Sequence, residues 1–329
     1  VRVLACPDKF RGTATASEIA NTVAAAANAV GWQCKTQPLA DGGEGTLAAL
    51  GGANRTTTVT GPHGLGVQAQ WRLSNSRAVI EMAQASGLSI AGGAQGNDPI
   101  AATSAGTGEL IATATDSGAT TIIVGLGGSA TTDGGLAALE AMAPLARYRR
   151  VNIEVAADVQ TKFLDAAEVF APQKGASKAQ VALLRGRLAR LAQIYRTEYA
   201  IDVTEVARSG AAGGLGGALL AVGANLCDGF ELIAEAVDLH QQIEPADLVI
   251  TGEGCLDSTS FQGKVVGGVA QICQQMGVPV LAIVGQALGN TAELIPTVDL
   301  TKTFGAERAK QDTLAVVEQA TKDWLSAYL

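Results

Sequence analysis

The segment Thr120-Thr-Ile-Ile-Val-Gly-Leu-Gly-Gly-Ser-Ala-Thr-Thr-Asp-Gly-Gly135 constrains the fold of this chain more than any other. A β-branched run, Thr120 to Val124, ends in a loop of glycines and hydroxyls, and a helix-forming run, Leu136 to Met142, follows. A buried strand, a tight loop and a helix start form the unit with which α/β proteins hold anions. Glycines let the backbone approach the ligand, and the unpaired N–H groups of the first helical turn point at its charge. A second loop, Ser209-Gly-Ala-Ala-Gly-Gly-Leu-Gly-Gly217, lies downstream, and carboxylates stand beside other strand ends. The combination points to phosphate handling and to a kinase-like enzyme.

The bulk numbers narrow the classes. With 329 residues and 47% hydrophobic content, the chain has material for two cores. Glycine, 40 of 329, is well above the usual ~7% and is spread through apolar sequence, as many tight turns require. A net charge of −8 argues against a nucleic-acid partner, which needs a basic face. The five cysteines are odd in number and form no C-x-x-C pair, which fits a reducing, cytoplasmic compartment. His63 and His240 are too few and too far apart for a zinc site. Asp8, Lys9, Arg11 and Glu18 make a signal peptide unexpected. No apolar run approaches the ~20 residues that cross a bilayer, so no membrane partner is expected.

Strand, helix, strand opens the chain. Val1 to Cys6 reads as a buried strand, Thr15 to Val30 as a helix with Ser17 or Thr15 as cap and Gly31 as stop, and Cys34 to Leu39 as a second strand. Arg55 to Thr60, Val67 to Leu73 and Ala78 to Met82 then read as an antiparallel meander. Helix Thr107 to Asp116, strands Thr120 to Val124 and Val151 to Val159, and a long helix Ser177 to Tyr199 follow. The parallel pattern returns with strands Asp247 to Thr251 and Val278 to Val284, helix Lys264 to Met276 between them, and a closing helix Asp312 to Leu329. The expected fold class is α/β. Residues 1–52 and 245–329 form one discontinuous, doubly wound parallel-sheet domain, and residues 53–244 an inserted α/β domain with a mixed sheet.

Ligands of open α/β sheets bind beyond the carboxyl ends of the strands. Asp8, Lys9 and Arg11 follow the first strand, although a cap and two solvated bases would read the same. Asp41-Gly42-Gly43-Glu44-Gly45 follows the second; carboxylates at i and i+3 suit Mg²⁺ or proton abstraction, and equally a capping box. Thr251-Gly-Glu253-Gly-Cys-Leu-Asp257 follows a third, and Lys264 opens the next helix, where a cation opposes the dipole unless it meets an anion. Gly127, Gly128 and Ser129 with Asp133 belong to one anion loop, and Gly213, Gly214 and Gly216 to the other, where glycines could equally serve close helix packing. Lys174 stands in a Pro-Gln-Lys-Gly turn, where a solvated base is the ordinary reading. The stretch from Gly254 to Gly263-Lys264-Val265 is not a P-loop, and neither anion loop carries a dinucleotide fingerprint, which disfavours a dehydrogenase.

Eight blocks in order resemble the type I glycerate kinase family along nearly the whole chain. They are Ala5 to Gly12, Leu39 to Thr46, Ile80 to Leu88, Thr103 to Glu109, Gly125 to Gly135, Val169 to Gly175, Gly210 to Gly217, and Val249 to Gly254 with Leu256-Asp257. The resemblance implies a flavodoxin-like domain joined to a second α/β domain with the active site in the cleft. It also implies transfer of the ATP γ-phosphoryl group to D-glycerate, giving 2-phosphoglycerate more often than 3-phosphoglycerate. Positioning, charge neutralisation and a proton acceptor are then what the protein must supply. Asp41 is the expected general base with Asp133 next; Asp8, Glu44 or Asp257 would hold Mg²⁺, through water; Arg11, Lys174 and Lys264 would clamp phosphoryl or carboxylate. Lys9, Glu253 and the two glycine loops complete the expected binding set. A monomer or homodimer is expected. A kinase for a related small hydroxy acid, or a non-catalytic nucleotide- or glycerate-binding paralogue, is the alternative. The chain departs from the family pattern at Lys9, where many members have Ser, and at Arg11, where many have Lys. It is also short and divergent between Met142 and Ala171, keeping only Asp158-Val159 of a longer motif.

Overall fold

The computed structural model describes residues 1–328. Eleven strands occur among them: β1 (Arg2–Ala5), β2 (Gln33–Thr36), β3 (Arg55–Thr60), β4 (Gly66–Ser74), β5 (Arg77–Glu81), β6 (Thr121–Gly125), β7 (Asn152–Ala157), β8 (Asn225–Asp228), β9 (Leu248–Leu256), β10 (Val280–Ala287) and β11 (Thr297–Asp299). By contacts the chain divides into two compact units. One takes Val1–Asp41, Ala48–Leu50 and the chain from Gly229 onward; the other takes Gly42–Leu47 and Gly51–Asp228.

In the first unit the sheet runs β11-β10-β9-β1-β2, with every neighbouring pair parallel. Counted within the unit this is the 2-1-3-4-5 order of a flavodoxin-like, doubly wound sheet. The sequence dictates burial on both faces. Along β1, Val3 and Ala5 join one core while Leu4 and the following Cys6 join the other. Such two-sided burial is why parallel strands read as continuous apolar runs. Helices Ala16–Ala29 and Thr313–Tyr328 cover the first face through Ile19, Val23, Val316 and Leu325. Helices Gly229–Ala236, Leu239–Ile243 and Val265–Met276 cover the second through Phe230, Ile233, Leu239 and Val269. Those apolar side chains bring the chain back to this unit at Gly229, whereas the strand pattern alone marks its return at 245. The first helix starts at a capping box, with Thr15 bonded to the Glu18 N–H and Glu18 to the Thr15 N–H.

The sequence predicts that the third strand ends at Thr251 and that Gly252 to Asp257 form a loop; the structure differs. β9 continues to Leu256, in register with β10, so that Gly252 faces Ile283 and Glu253 faces Val284. Glycine normally weakens a strand, but here it admits a close backbone approach. A Cβ on Gly252 would lie 2.1 Å from the Ile283 carbonyl oxygen, and one on Gly285 would lie 2.4 Å from that of Gly254.

The second unit holds a six-stranded mixed sheet, β3-β4-β5-β6-β7-β8. β3, β4 and β5 are the antiparallel meander, and β5 to β8 are parallel. Trp71, Ile80, Leu110, Ile122, Val124, Val155 and Leu188 share its core. The Ser209–Gly217 stretch is not simply a loop. It enters helix Ala211–Leu220 through Ala212, Gly213 and Gly214, all in left-handed conformation. Among the described residues no helix is long and apolar enough to cross a membrane.

Replacing Gly252 by Ala forces β9 off β10. The expected result is a loss of about 1–3 kcal/mol, the range for overpacked interiors, read as a lower urea midpoint with unchanged slope.

Candidate active site

The strand order of the first unit reverses between β1 and β9, and at that switch point the crevice beyond the strand ends is open to a ligand. A cavity of about 480 Å³ lies there. Asp8, Lys9 and Arg11 reach it from the turn after β1, and Asp41 from the segment after β2. Glu253 and Asp257 line it from β9 and the turn beyond, and Lys264 from the start of helix Val265–Met276. The cavity thus gathers most of the charged residues that the sequence places after separate strands.

Lys9 organises the near wall. Its Nζ lies 3.4 Å from Asp8 Oδ1 and 3.6 Å from Asp41 Oδ1, so one ammonium serves two carboxylates. The Lys9 N–H also donates to Asp8 Oδ1, at 2.7 Å. Burial raises the Asp8 pKa, the Lys9 charge opposes it and the Asp41 charge adds to it, leaving Asp8 at about 6. Burial works against the Lys9 ammonium, yet Asp41 and Asp8 together carry its pKa above the ordinary lysine value. The two shifts agree physically, because a desolvated carboxylate with a like charge beside it remains hard to ionise even when a cation is near.

Alongside the β1 turn, on β9, Glu253 is buried, and its Oε1 has no hydrogen-bond partner. Burial is the main reason its pKa rises to about 7; Asp8 and Asp257 push the same way, and a Ser260 hydrogen bond and Lys264 push back. Asp257 caps the short helix Ser258–Phe261. Its Oδ1 accepts the Thr259 N–H at 2.8 Å and the Thr259 hydroxyl at 2.6 Å. Lys264 is the N-cap residue of its helix without capping it, and its Nζ donates to Thr259 Oγ1 at 3.0 Å. An anion held there would meet both the ammonium and the helix N-terminus. Among the described residues no cluster of three or more His, Cys, Asp or Glu side chains is placed to hold a metal ion.

The remaining expected residues belong to the second unit. Gly42, Gly43 and Glu44 lie just after Asp41, where the chain passes from one unit to the other. Their loop is fastened by Glu81, from the Ile80 to Leu88 block, whose carboxylate accepts the Gly45 N–H at 3.0 Å and the Leu47 N–H at 2.7 Å. Gly42 is left-handed and a Cβ there would lie 2.8 Å from the Ala156 backbone; one on Gly127 would lie 2.4 Å from Gly43. Glu44 is exposed.

The two glycine loops meet. Gly134 N–H donates to the Gly213 carbonyl at 3.0 Å, and a Cβ on Gly213 would lie 2.1 Å from the Thr131 oxygen. Gly214 and Gly216 are buried against Gly134 and Arg208 in the same way. Gly128 and Ser129 bridge instead to the segment Ser86–Leu88. Asp133 is saturated: Oδ2 accepts the Ser104 N–H and hydroxyl, and Oδ1 the Gly135 N–H. Burial raises its pKa against those bonds. Such a carboxylate ties loop to helix and has little capacity left for a substrate proton. Lys174, expected as a phosphate clamp, is buried and donates to the Thr131 carbonyl at 2.6 Å. Burial lowers its pKa to about 7, with Asp133 opposing.

The family model described as the Glycerate kinase family matches residues 3–146 and 143–327. The chain belongs to the glycerate kinase family. The two matched segments meet at the start of the stretch that the sequence marks as shortened. A glycerate 2-kinase of Escherichia coli K12 is 39% identical over 325 residues, covering 87% of this chain and 85% of that protein. A glycerate kinase of Halalkalibacterium halodurans is 37% identical over 89% of this chain and 87% of its own length. The crystal structure of a candidate glycerate kinase 2 from Salmonella typhimurium LT2 superposes with a TM-score of 0.85 at 34% identity, covering 100% of this chain and 98% of the other. As a glycerate kinase family member the protein is a kinase enzyme, and its flavodoxin-like unit is that of the family.

Gln286, Thr301 and Lys310 also line the cavity and were not expected. The first lies on the extension of β10 and the others on short helices after β11, where no periodic signal marks them.

Two outcomes test this electrostatic picture. Lys9→Met removes the cation shared by Asp8 and Asp41, so the Asp8 carboxyl should titrate above about 6 in a ¹³C-detected pH series. For Lys174, the folded pKa of about 7 lies below the unfolded value, so the unfolded chain binds more protons between them. The stability of wild type relative to Lys174→Met should therefore grow as pH rises above 7 and be flat below it, measured by urea unfolding across the series.

Proposed function

We propose that this kinase transfers the γ-phosphoryl group of ATP to D-glycerate and yields 2-phosphoglycerate and ADP. The carrying observation is the gathering of Lys9, Arg11 and Lys264 with Asp8, Asp41 and Glu253 around one cavity at the switch point of the flavodoxin-like sheet. The family membership gives that cavity its reaction class, and a relative named glycerate 2-kinase supports the choice of oxygen.

Phosphoryl transfer demands in-line placement and neutralisation of the charge on the equatorial oxygens. Lys264 at a helix N-terminus and the exposed Arg11 guanidinium suit phosphate oxygens or the glycerate carboxylate, Arg11 by a bidentate fork. Asp8 and Asp41 hold the Lys9 ammonium in place, where it neutralises charge on the reacting groups. The glycine loops of the second unit are proposed as scaffold and anion-binding backbone, with Lys174 holding the Thr131 carbonyl.

Mg²⁺ fits this site as an ion carried by the nucleotide. Such ions keep several waters and use one or two carboxylates plus phosphates. Asp257 offers one carboxylate at the cavity wall with its Oδ1 already oriented by Thr259. When bound, the ion neutralises charge on the transferring phosphoryl and its leaving group. Asp8 is a weaker candidate, since Lys9 already sits on its carboxylate. An odd number of cysteines, with Cys6 and Cys273 as buried thiols, supports a cytoplasmic location.

Incubation with Mg-ATP and D-glycerate, followed by proton-coupled ³¹P NMR, should show the new phosphate ester split into a doublet by the single proton on C2 of glycerate. A triplet from the two C3 protons would reassign the product, and consumption of ATP only with another hydroxy acid would reassign the substrate.

A further inference from the structure

We infer that Glu253 is the proton acceptor of the transfer, its carboxylate taking the hydroxyl proton of the acceptor alcohol. The inference rests on the kinase reading above and names a residue role that the sequence pattern does not assign.

Three independent observations converge on it. First, Glu253 is on the sheet and not in a loop, opposite Val284, and Gly252 and Gly254 on either side pack directly against neighbouring backbone. A Cβ on Gly254 would lie 3.2 Å from the Arg11 N and 3.3 Å from the Phe10 Cα. The side chain therefore leaves from a backbone with no room to shift, which is the preorganisation that a reacting group needs. Second, Glu253 is only 9% exposed and lines the cavity, yet Oε1 receives no hydrogen bond. A buried acceptor without a donor is costly and rare, and at an active site it is expected to find its donor in the substrate. Third, the competing carboxylates are already committed. Asp8 and Asp41 share the Lys9 ammonium, and Asp133 accepts three bonds from Ser104 and Gly135.

The proton balance closes. The alcohol oxygen forms a bond to the γ-phosphorus, and the bond from phosphorus to the β,γ-bridging oxygen breaks with its electron pair leaving on ADP. The alcohol proton passes to the Glu253 carboxylate and then to solvent as the product departs. The charged groups that act on Glu253 are Asp8 from the β1 turn, Asp257 from the turn after β9 and Lys264 from the following helix. From β10 the cavity neighbours are Gly285 and Gln286, which carry no charge. Burial with two carboxylates against one ammonium holds Glu253 at about 7, where a base is both available and strong enough.

The test compares wild type, Glu253→Gln and Asp41→Asn on kcat, KM and their pH dependence. Wild-type kcat/KM should rise with pH to a plateau through an acid limb near pH 7. Glu253→Gln should lose roughly 10²–10⁴-fold in kcat, the usual contribution of a general base, with a KM near wild type and no acid limb. Asp41→Asn should keep the limb. Glu253→Gln within tenfold of wild-type kcat with the limb intact would overturn the assignment, as would Asp41→Asn alone erasing it. If Glu253→Gln fails to fold, Glu253→Asp decides: a lower kcat with the limb kept supports the role, and unchanged kcat overturns it. If wild type ignores D-glycerate but phosphorylates another hydroxy acid, the substrate reading fails and the same comparison runs on that acceptor. Wild type without turnover on any acceptor overturns both.

Discussion

The close parallel pairing of β9 with β10 and with β1 is the constraint on which the site depends. Gly252 and Gly285 have no side chain where one would strike a neighbouring carbonyl, so the strands stay paired past the point where a bulkier sequence would separate. This carries Glu253 on a strand to the mouth of the cavity. β1 pairs with β9 from Val3 to Ala5 and delivers Asp8 and Lys9 beside it. Backbone geometry thus places the charges before any of them interact.

Electrostatics then sorts the carboxylates by role. Asp8 and Asp41 face an ammonium and hold it; Asp257 faces the Thr259 N–H and hydroxyl and stays ionised; Glu253 keeps one buried oxygen, Oε1, without a donor. The same side-chain chemistry gives different outcomes because burial and neighbours differ, which is how one fold supplies both fixed charge and a tunable base. In the second unit the same logic turns inward. Asp133, Lys174 and Glu81 each bond backbone groups of glycine-rich segments, so charge is spent on shaping loops.

Much of this was legible in the sequence. The β1 and helix Ala16–Ala29 pattern, the meander and the carboxylates after strands follow from apolar period, cap chemistry and turn residues, and the eight ordered blocks identified the family. Less visible was the length of β9, because glycine within Thr251 to Cys255 reads as a loop unless the neighbouring strand also carries a glycine at the contact. Gln286, Thr301 and Lys310 gave no signal, since their arrival at the cavity depends on the path after β10. Lys174 read as a surface base or a phosphate clamp, and its burial on the Thr131 carbonyl came from packing between distant segments.

The sequence by itself determined the α/β class and the set of charged residues available for phosphoryl chemistry, because these depend on local periodicity and residue type. Only the tertiary structure decided which carboxylate keeps an open oxygen, which lysine is shared and which is buried. Those properties depend on desolvation and on neighbours 3–4 Å away that come from remote parts of the chain, and no local pattern encodes them.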